Sequence, residues 1–136
     1  ASLLHDIGKI GVRESILMKP AKLLGYERRQ IKMHPSIGAR IIESMEDSDI
    51  IRRGILEHHE RYDGSGYPDG LQGDEINIFA QILSVADAYD AMTSARAYRS
   101  PFGQKEAAEE LKRSKGAQFS PEIVDIFIKI LKEEKS

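Results

Sequence analysis

Two adjacent histidines, His58 and His59, lie at the end of an apolar helical pattern and directly before a glycine-rich loop. Ile51 and Ile55 precede the pair at helical spacing, so one face of this helix carries both imidazoles. Neutral imidazole is the commonest side-chain metal ligand in proteins. The pair therefore predicts a helix that ends in a metal site holding more than one ion.

The loop that follows contains three glycine-bearing steps, which are Asp63-Gly64, Gly66-Tyr67-Pro68 and Asp69-Gly70. These residue types favour tight turns and left-handed backbone conformations. We therefore expect an ordered loop that lies beside the metals.

The rest of the chain shows helical periodicity and no strand-like alternation. Leu3 and Leu4 are expected to end a buried helix that Gly8 and Gly11 terminate, and the missing helix start predicts a chain that is incomplete at its N-terminus. The stripes expected in the core are Ile37, Ile41, Ile42 and Met45; Ile51 and Ile55; Phe79, Ile82, Leu83 and Ala91; Ala107, Ala108 and Leu111; and Ile123, Phe127, Ile130 and Leu131. These patterns predict an all-α fold in one domain over residues 1–136.

The charge balance argues against binding driven by bulk charge, because 20 Lys and Arg face 22 Asp and Glu, for a net charge of −2. Neither a nucleic-acid polymer nor an acidic membrane is favoured as a partner. The chain has no cysteine, so histidine and carboxylate are the available metal ligands, and a cytoplasmic location is compatible. No apolar run in this piece approaches the roughly 20 residues of a membrane span.

Two carboxylates fall where burial would be costly without a cation. Asp6 follows His5 after two leucines, and Asp87 shares an apolar helix line with Leu83. A salt bridge to a buried arginine or a hydrogen bond between helices is the alternative for Asp87. Asp90, one turn later, is expected to contact the metal ligands without binding the metal itself.

His34 lies at the junction of two predicted helices, where its side chain can face a cleft, although a lone histidine is more often structural. The convergence of four histidines and two carboxylates at helix ends favours a metal site instead. Such ligands suit iron, manganese or zinc, and two ions bridged by one aspartate would generate a hydroxide for attack on phosphorus. The candidate ligands are His5, Asp6, His34, His58, His59 and Asp87.

Three cations are candidates for holding an anionic substrate. Lys9 lies between two glycines and close to the His5-Asp6 pair, and Arg96 and Arg99 can face one anion together. The alternatives are a solvated surface lysine and a charge effect at a helix C-terminus.

These motifs resemble those of the HD-GYP family over the chain from Leu3 to about Pro121. The resemblance implies an HD-superfamily helical bundle that lacks the first helices of the family domain. The matching segments are His5-Asp6-Ile7-Gly8-Lys9-Ile10-Gly11, His34-Pro35, His58-His59-Glu60-Arg61, Asp63-Gly64, Gly66-Tyr67-Pro68 and Val85-Ala86-Asp87-Ala88-Tyr89-Asp90-Ala91.

The resemblance also implies metal-dependent hydrolysis of the bacterial second messenger cyclic di-GMP to pGpG and/or GMP. It implies two or three divalent ions, iron or manganese with zinc as the alternative, bound by the six candidate ligands with Asp6 as the bridge. Asp6 and Lys9 are implied to be catalytic, and the implied substrate contacts are Lys9, Tyr67, Arg96 and Arg99.

The implied partners are a diguanylate cyclase (GGDEF) domain at the Gly66-Tyr67-Pro68 loop and an upstream receiver or sensor domain, and a homodimer is a further expectation. The sequence departs from the family pattern at Arg13, Gln81, Ala95 and Ala97. Only Ala95 and Ala97 lie near a proposed substrate contact, so they bear on how Arg96 and Arg99 bind a substrate. The resemblance further implies upstream helices that supply another His or Glu ligand, and we expect the metal site to be incomplete without them. The alternatives are therefore a module that binds cyclic di-GMP or a cyclase without turnover, and an HD phosphohydrolase for another nucleotide.

Overall fold

The computed structural model describes residues 3–45, 48–95 and 100–133, and every regular element within these ranges is a helix. The all-α prediction is therefore confirmed, and none of these helices is long and apolar enough to cross a bilayer. Two 3-10 helices, Ile7–Gly11 and Gly73–Glu75, precede the first and fifth α-helices. The α-helices are α1 (Glu14–Leu17), α2 (Gly25–Lys32), α3 (His34–Ile41), α4 (Asp49–Glu57), α5 (Ile78–Thr93), α6 (Gln104–Arg113) and α7 (Pro121–Glu133).

The first half of the chain packs as a series, with the first 3-10 helix on α3, α3 on α4 and α4 on α5. Gly8 makes the first of these contacts, because a Cβ at this position would lie 1.8 Å from the carbonyl oxygen of His34. Only a residue without a side chain permits this approach. The close contact brings His5 and Asp6 to the N-terminal end of α3.

The second half forms a compact apolar core in which α5, α6 and α7 meet. Pro121 begins α7, where its missing N–H leaves no helical hydrogen bond unmade. Packing against α6 and α7 fixes α5, the helix that carries Asp87. The core residues are Val85, Leu111, Phe119, Val124 and Ile128.

The start of the chain differs from its prediction. Residues 3–6 form turns and not the end of a buried helix, and Leu3 is 97% exposed. Gly8 and Gly11 lie within the first 3-10 helix and do not terminate an α-helix. The backbone here makes short-range bonds, such as Lys9 N–H to the Asp6 carbonyl, and these tighten the chain around the metal-site candidates.

Several residues predicted for the core are exposed. In α7, Val124 and Ile128 are buried, whereas the predicted Ile130 faces solvent. Helical spacing identifies an apolar face but not the neighbour that covers it. The predicted core residues that are exposed are Ile41, Met45, Ile51, Phe79, Ile82 and Ile130.

Candidate metal centre

Three imidazoles converge between the start of α3 and the end of α4. His34 is the first residue of α3, and His58 directly follows α4 and precedes His59. One ring nitrogen of each lies within 4.8 Å of the other two. The predicted helix-junction position of His34 and helix-end position of the pair are therefore confirmed.

Backbone carbonyls fix the orientation of two of these rings. Nδ1 of His34 donates to the Ile31 carbonyl at 2.7 Å, and Nδ1 of His58 donates to the Ile55 carbonyl at 2.6 Å. A carbonyl only accepts, so each Nδ1 carries the proton and each Nε2 keeps a lone pair. The two Nε2 atoms face each other 3.4 Å apart, an arrangement that a cation between them stabilises.

Burial keeps these rings uncharged. Desolvation lowers the pKa of His34 below its ordinary value, and it lowers the pKa of His58 to about 4 and of His59 to about 3, with neighbouring imidazoles adding to both. The neutral ring is the form that binds a metal. The cluster therefore presents nitrogen ligands that are ready at neutral pH.

Asp6 joins the imidazoles to a lysine. Oδ1 of Asp6 lies 3.5 Å from Nε2 of His34. Oδ2 lies 3.5 Å from Nε2 of His5 and accepts a hydrogen bond from Lys9 Nζ at 2.7 Å. Burial opposes ionisation, but the hydrogen bond and charge of Lys9 and the nearby imidazoles outweigh it, so the pKa of Asp6 lies below its ordinary value. Asp6 is an ionised carboxylate at the edge of the histidine cluster.

Asp87 reaches the same region from α5, where one of its oxygens lies 3.6 Å from His5 Nε2. Among the described residues it pairs with no arginine, which was the alternative considered from the sequence. Nitrogen ligands about 2.0–2.1 Å from one ion lie roughly 3 to 4 Å from each other, as His34 Nε2 and His58 Nε2 do. The imidazoles and carboxylates present thus fit divalent metal ions.

Tyr67 forms a wall beside this cluster. Its ring stacks on His59, with centroids 5.0 Å apart and 22° between the planes, and its backbone N–H donates to the His59 carbonyl. Lys32 Nζ lies 4.8 Å from the centroid of the Tyr67 ring. Burial and the charge of Asp6 raise the pKa of Tyr67, so its hydroxyl stays protonated at neutral pH and can donate a hydrogen bond.

A cleft of about 260 Å³ opens beside the cluster. It connects part of the ligand set with the Tyr67 loop and with the turn that precedes α7, and it gives a bound molecule access to both. The lining residues are His58, His59, Glu60, Arg61, Tyr67, Ser84, Asp87, Ala88, Gln118 and Phe119.

The structure brings the six predicted ligands, Lys9 and Tyr67 into one region. Arg96 and Arg99 lie outside the described residues. Asp90, expected to support the ligands, is exposed, and its side chain accepts a hydrogen bond from Ser94 at the end of α5.

Sequence reasoning assigned no role to Glu60 or Lys32, both of which contact the Tyr67 loop. A carboxylate directly before a glycine-rich loop was the available signal for Glu60, because such loops leave backbone N–H groups without partners. No comparable signal marks Lys32.

Comparison with known proteins agrees with this geometry, because the profile of the HD domain family matches residues 1–123. The chain belongs to the HD domain family. A cyclic di-GMP phosphodiesterase of Thermotoga maritima is 47% identical over 136 residues, which cover 98% of this HD domain chain and 37% of the relative. A cyclic di-GMP phosphodiesterase response regulator of Xanthomonas campestris pv. campestris is 42% identical, over 95% of this chain and 35% of the relative.

The HD-GYP resemblance drawn from the motifs is thus confirmed, and the chain spans little more than a third of the length of these two relatives. A crystal structure of a cyclic GMP-AMP specific phosphodiesterase of Vibrio cholerae matches this HD domain with a TM-score of 0.68 and 18% sequence identity. The match covers 96% of this chain and 36% of that one, and it shows that the fold is shared.

Proposed function

We propose that this HD domain is the catalytic part of a metal-dependent phosphodiesterase that hydrolyses cyclic di-GMP to pGpG and/or GMP. The observation that carries the proposal is the facing pair of Nε2 lone pairs on His34 and His58, next to the ionised Asp6. The substrate class is taken from the two relatives, both of which bear the name of a cyclic di-GMP phosphodiesterase.

The proposed metal ligands supply uncharged nitrogen and ionised oxygen in one site. Iron or manganese is the proposed metal, with zinc as the alternative, because imidazole and carboxylate suit these ions. The chemistry that two or three such ions supply when bound is activation of water and neutralisation of phosphate charge. The ligands are His5, Asp6, His34, His58, His59 and Asp87, and Asp6 is proposed to be shared.

Lys9 and Tyr67 are proposed to act on the substrate from the cluster's edge. Lys9 keeps Asp6 ionised and has further N–H donors that can reach a phosphate oxygen. The protonated Tyr67 hydroxyl is a neutral donor beside the same carboxylate. Arg96 and Arg99 are proposed as further phosphate contacts.

The partners predicted from the sequence are part of the same proposal. A diguanylate cyclase (GGDEF) domain is proposed to bind at Gly66-Tyr67-Pro68, and a receiver or sensor domain to regulate the activity in the cytoplasm. The word "response regulator" in the name of the Xanthomonas relative supports a receiver domain. A homodimer is also proposed, since exposed apolar residues such as Met18 and Ile10 favour self-association.

The test is product analysis with cyclic di-GMP as the substrate. Protein loaded with Fe²⁺ or Mn²⁺ is expected to produce pGpG and/or GMP, a chelator to stop the reaction, and added metal to restore it. Metal-loaded protein that binds cyclic di-GMP and releases no product would be a signalling module without turnover. Preferential cleavage of cyclic GMP-AMP would instead identify a phosphohydrolase for another nucleotide.

A further inference from the structure

We propose that Glu60 is a positioning residue that sets Tyr67 against His59 and so fixes one wall of the substrate site. The inference rests on the proposed function of this site and deepens it, because it explains how the wall is held before a substrate arrives. Glu60 directly follows His59, yet its side chain belongs to the loop and not to the ligand set. It is 4% exposed.

The carboxylate of Glu60 organises the turn after Tyr67. One oxygen accepts the N–H groups of Asp69 at 2.7 Å and Gly70 at 3.1 Å, and the other accepts the N–H of Leu71 at 3.1 Å. A buried carboxylate requires such donors, and bonds to an ionised acceptor are the stronger kind. The turn is therefore closed around this one side chain.

On the N-terminal side of Tyr67, Gly66 packs against the backbone of Glu60. A Cβ on Gly66 would lie 2.5 Å from Glu60 Cα and 2.3 Å from the backbone nitrogen of Arg61, so the two backbones are in direct contact. Tyr67 lies between this contact and the turn held by the carboxylate. The backbone on both sides of Tyr67 is therefore held in place, and from this position the ring stacks on His59.

Two of the three clustered imidazoles are oriented without the Glu60 carboxylate. The His34 ring is oriented by the Ile31 carbonyl in α2 and the His58 ring by the Ile55 carbonyl in α4, and the Glu60 side chain bonds to neither carbonyl. Loss of the Glu60 carboxylate should therefore shift Tyr67 and weaken substrate binding, while metal binding persists. This separation distinguishes positioning from a general structural role.

The Glu60→Gln variant tests the proposal. Glutamine keeps the shape but replaces one acceptor oxygen with an NH2 donor, so at least one of the three loop N–H groups loses its partner. Amide hydrogen exchange over residues 69–71 is expected to accelerate about tenfold, and KM for cyclic di-GMP to rise about tenfold. Metal content, and the rate with the small diester bis(p-nitrophenyl) phosphate, should stay within about twofold of wild type.

Glu27→Gln is the matched control, because Glu27 is also buried and accepts a backbone N–H, that of Leu24 at 2.7 Å, away from Tyr67. It should leave KM unchanged. A double-mutant cycle with Tyr67→Leu should show that Glu60→Gln adds no further rise in KM once the ring is absent.

Unchanged exchange over 69–71, multiplying effects in the cycle, or equal losses on both substrates together with lost metal would overturn the proposal. The exchange experiment needs no substrate. Wild-type protein that fails to cleave cyclic di-GMP would therefore contradict the proposed function, while exchange still decides whether Glu60 holds the turn.

Discussion

The two sides of the metal centre are held in place by different forces. On the nitrogen side, His34 and His58 are buried, and backbone carbonyls fix their rings. On the oxygen side, the side chains of Asp6 and Asp87 are 43% and 45% exposed, and their contacts are with charged or titratable groups. Burial and backbone hydrogen bonds therefore fix the rings of His34 and His58, whereas the carboxylates of Asp6 and Asp87, on backbone that the fold also positions, interact mainly with neighbouring charges.

Because of this difference, the two sides of the site should contribute unequally to folding stability although both contribute to catalysis. A change on the nitrogen side alters buried packing as well as metal binding, while a change on the oxygen side alters mainly charge. Variants on the two sides should therefore give similar losses of activity and different effects on folding.

The largest effects should come from removing one ligand on each side. His58→Ala and Asp87→Ala are each expected to lower cyclic di-GMP turnover by roughly a thousandfold or more, because the metal contribution is worth several kcal/mol. Helical circular dichroism should be retained in both. In the metal-free protein, His58→Ala should cost about 1–3 kcal/mol of unfolding free energy, and Asp87→Ala less than about 0.5 kcal/mol.

Initial rates, metal analysis and urea unfolding measure these outcomes. Gln81→Ala serves as the control, since Gln81 is a buried polar residue of α5 that bonds to the Ile76 carbonyl outside the ligand set. Normal turnover in either ligand variant would remove that residue from the metal site. Equal stability losses would contradict the distinction between the two sides.

The pH dependence of stability should contain two contributions that begin to be lost at different pH values. Native His58 and His59 stay neutral down to about pH 4 and 3, whereas the unfolded residues take up protons near pH 6.5, so the unfolded state binds more protons between these values. Stability of the metal-free protein should therefore fall as the pH drops below about 6.5. The contribution of Asp6, whose pKa is lowered from 3.8, should be lost only below about pH 4.

Thermal unfolding of the metal-free protein from pH 7 to pH 3 checks this order. His58→Gln should reduce the fall in stability that begins near pH 6.5, to which His59 still contributes, and it should leave the Asp6 contribution in place. A flat profile between pH 6.5 and 4.5 in the wild type would show that the imidazoles are not held neutral by burial.

Lys9→Met should have an intermediate effect that is confined to the oxygen side. Without the hydrogen bond and charge of Lys9, the pKa of Asp6 should rise, and the acid limb of kcat/KM should move to higher pH. KM for cyclic di-GMP should rise about tenfold with metal content unchanged. Lys19→Met is the control, because Lys19 pairs with Glu27 away from the centre, and an identical profile for the two variants would argue against a role for Lys9 at Asp6.

Lys32→Gln should have the smallest effect, since an exposed cation over an aromatic ring contributes about 0.5–1 kcal/mol. KM should rise about threefold at low salt, and the difference should shrink at high salt. Lys22→Gln, at an exposed lysine before α2, is the comparison. Loss of metal in Lys32→Gln would show that this lysine supports the nitrogen side and not only the Tyr67 wall.

The sequence predicts the nitrogen side better than the surroundings of the site. His34 at a helix junction and His58 and His59 at a helix end are local consequences of helical spacing, and they lie where that spacing places them. Their ligation of metal stays a prediction. The all-α class follows from the same periodicity.

Contacts between distant segments are not visible in a spacing pattern. Glu60 bonds to N–H groups nine to eleven residues later, and this depends on the path of the loop. The exposure of Leu3, Met45 and Phe79 likewise depends on what packs against each helix face. Periodicity marks an apolar face but carries no information about its neighbour.

The central claim is tested most directly by titrating metal-free protein with Mn²⁺ or Fe²⁺ while cyclic di-GMP hydrolysis is measured. If the six residues form one metal centre, turnover should rise with metal and level off at two or three equivalents per chain, and His58→Ala should shift or abolish the curve. Turnover that is independent of added metal and insensitive to a chelator would contradict the account, as would a chain that binds these equivalents and leaves cyclic di-GMP intact.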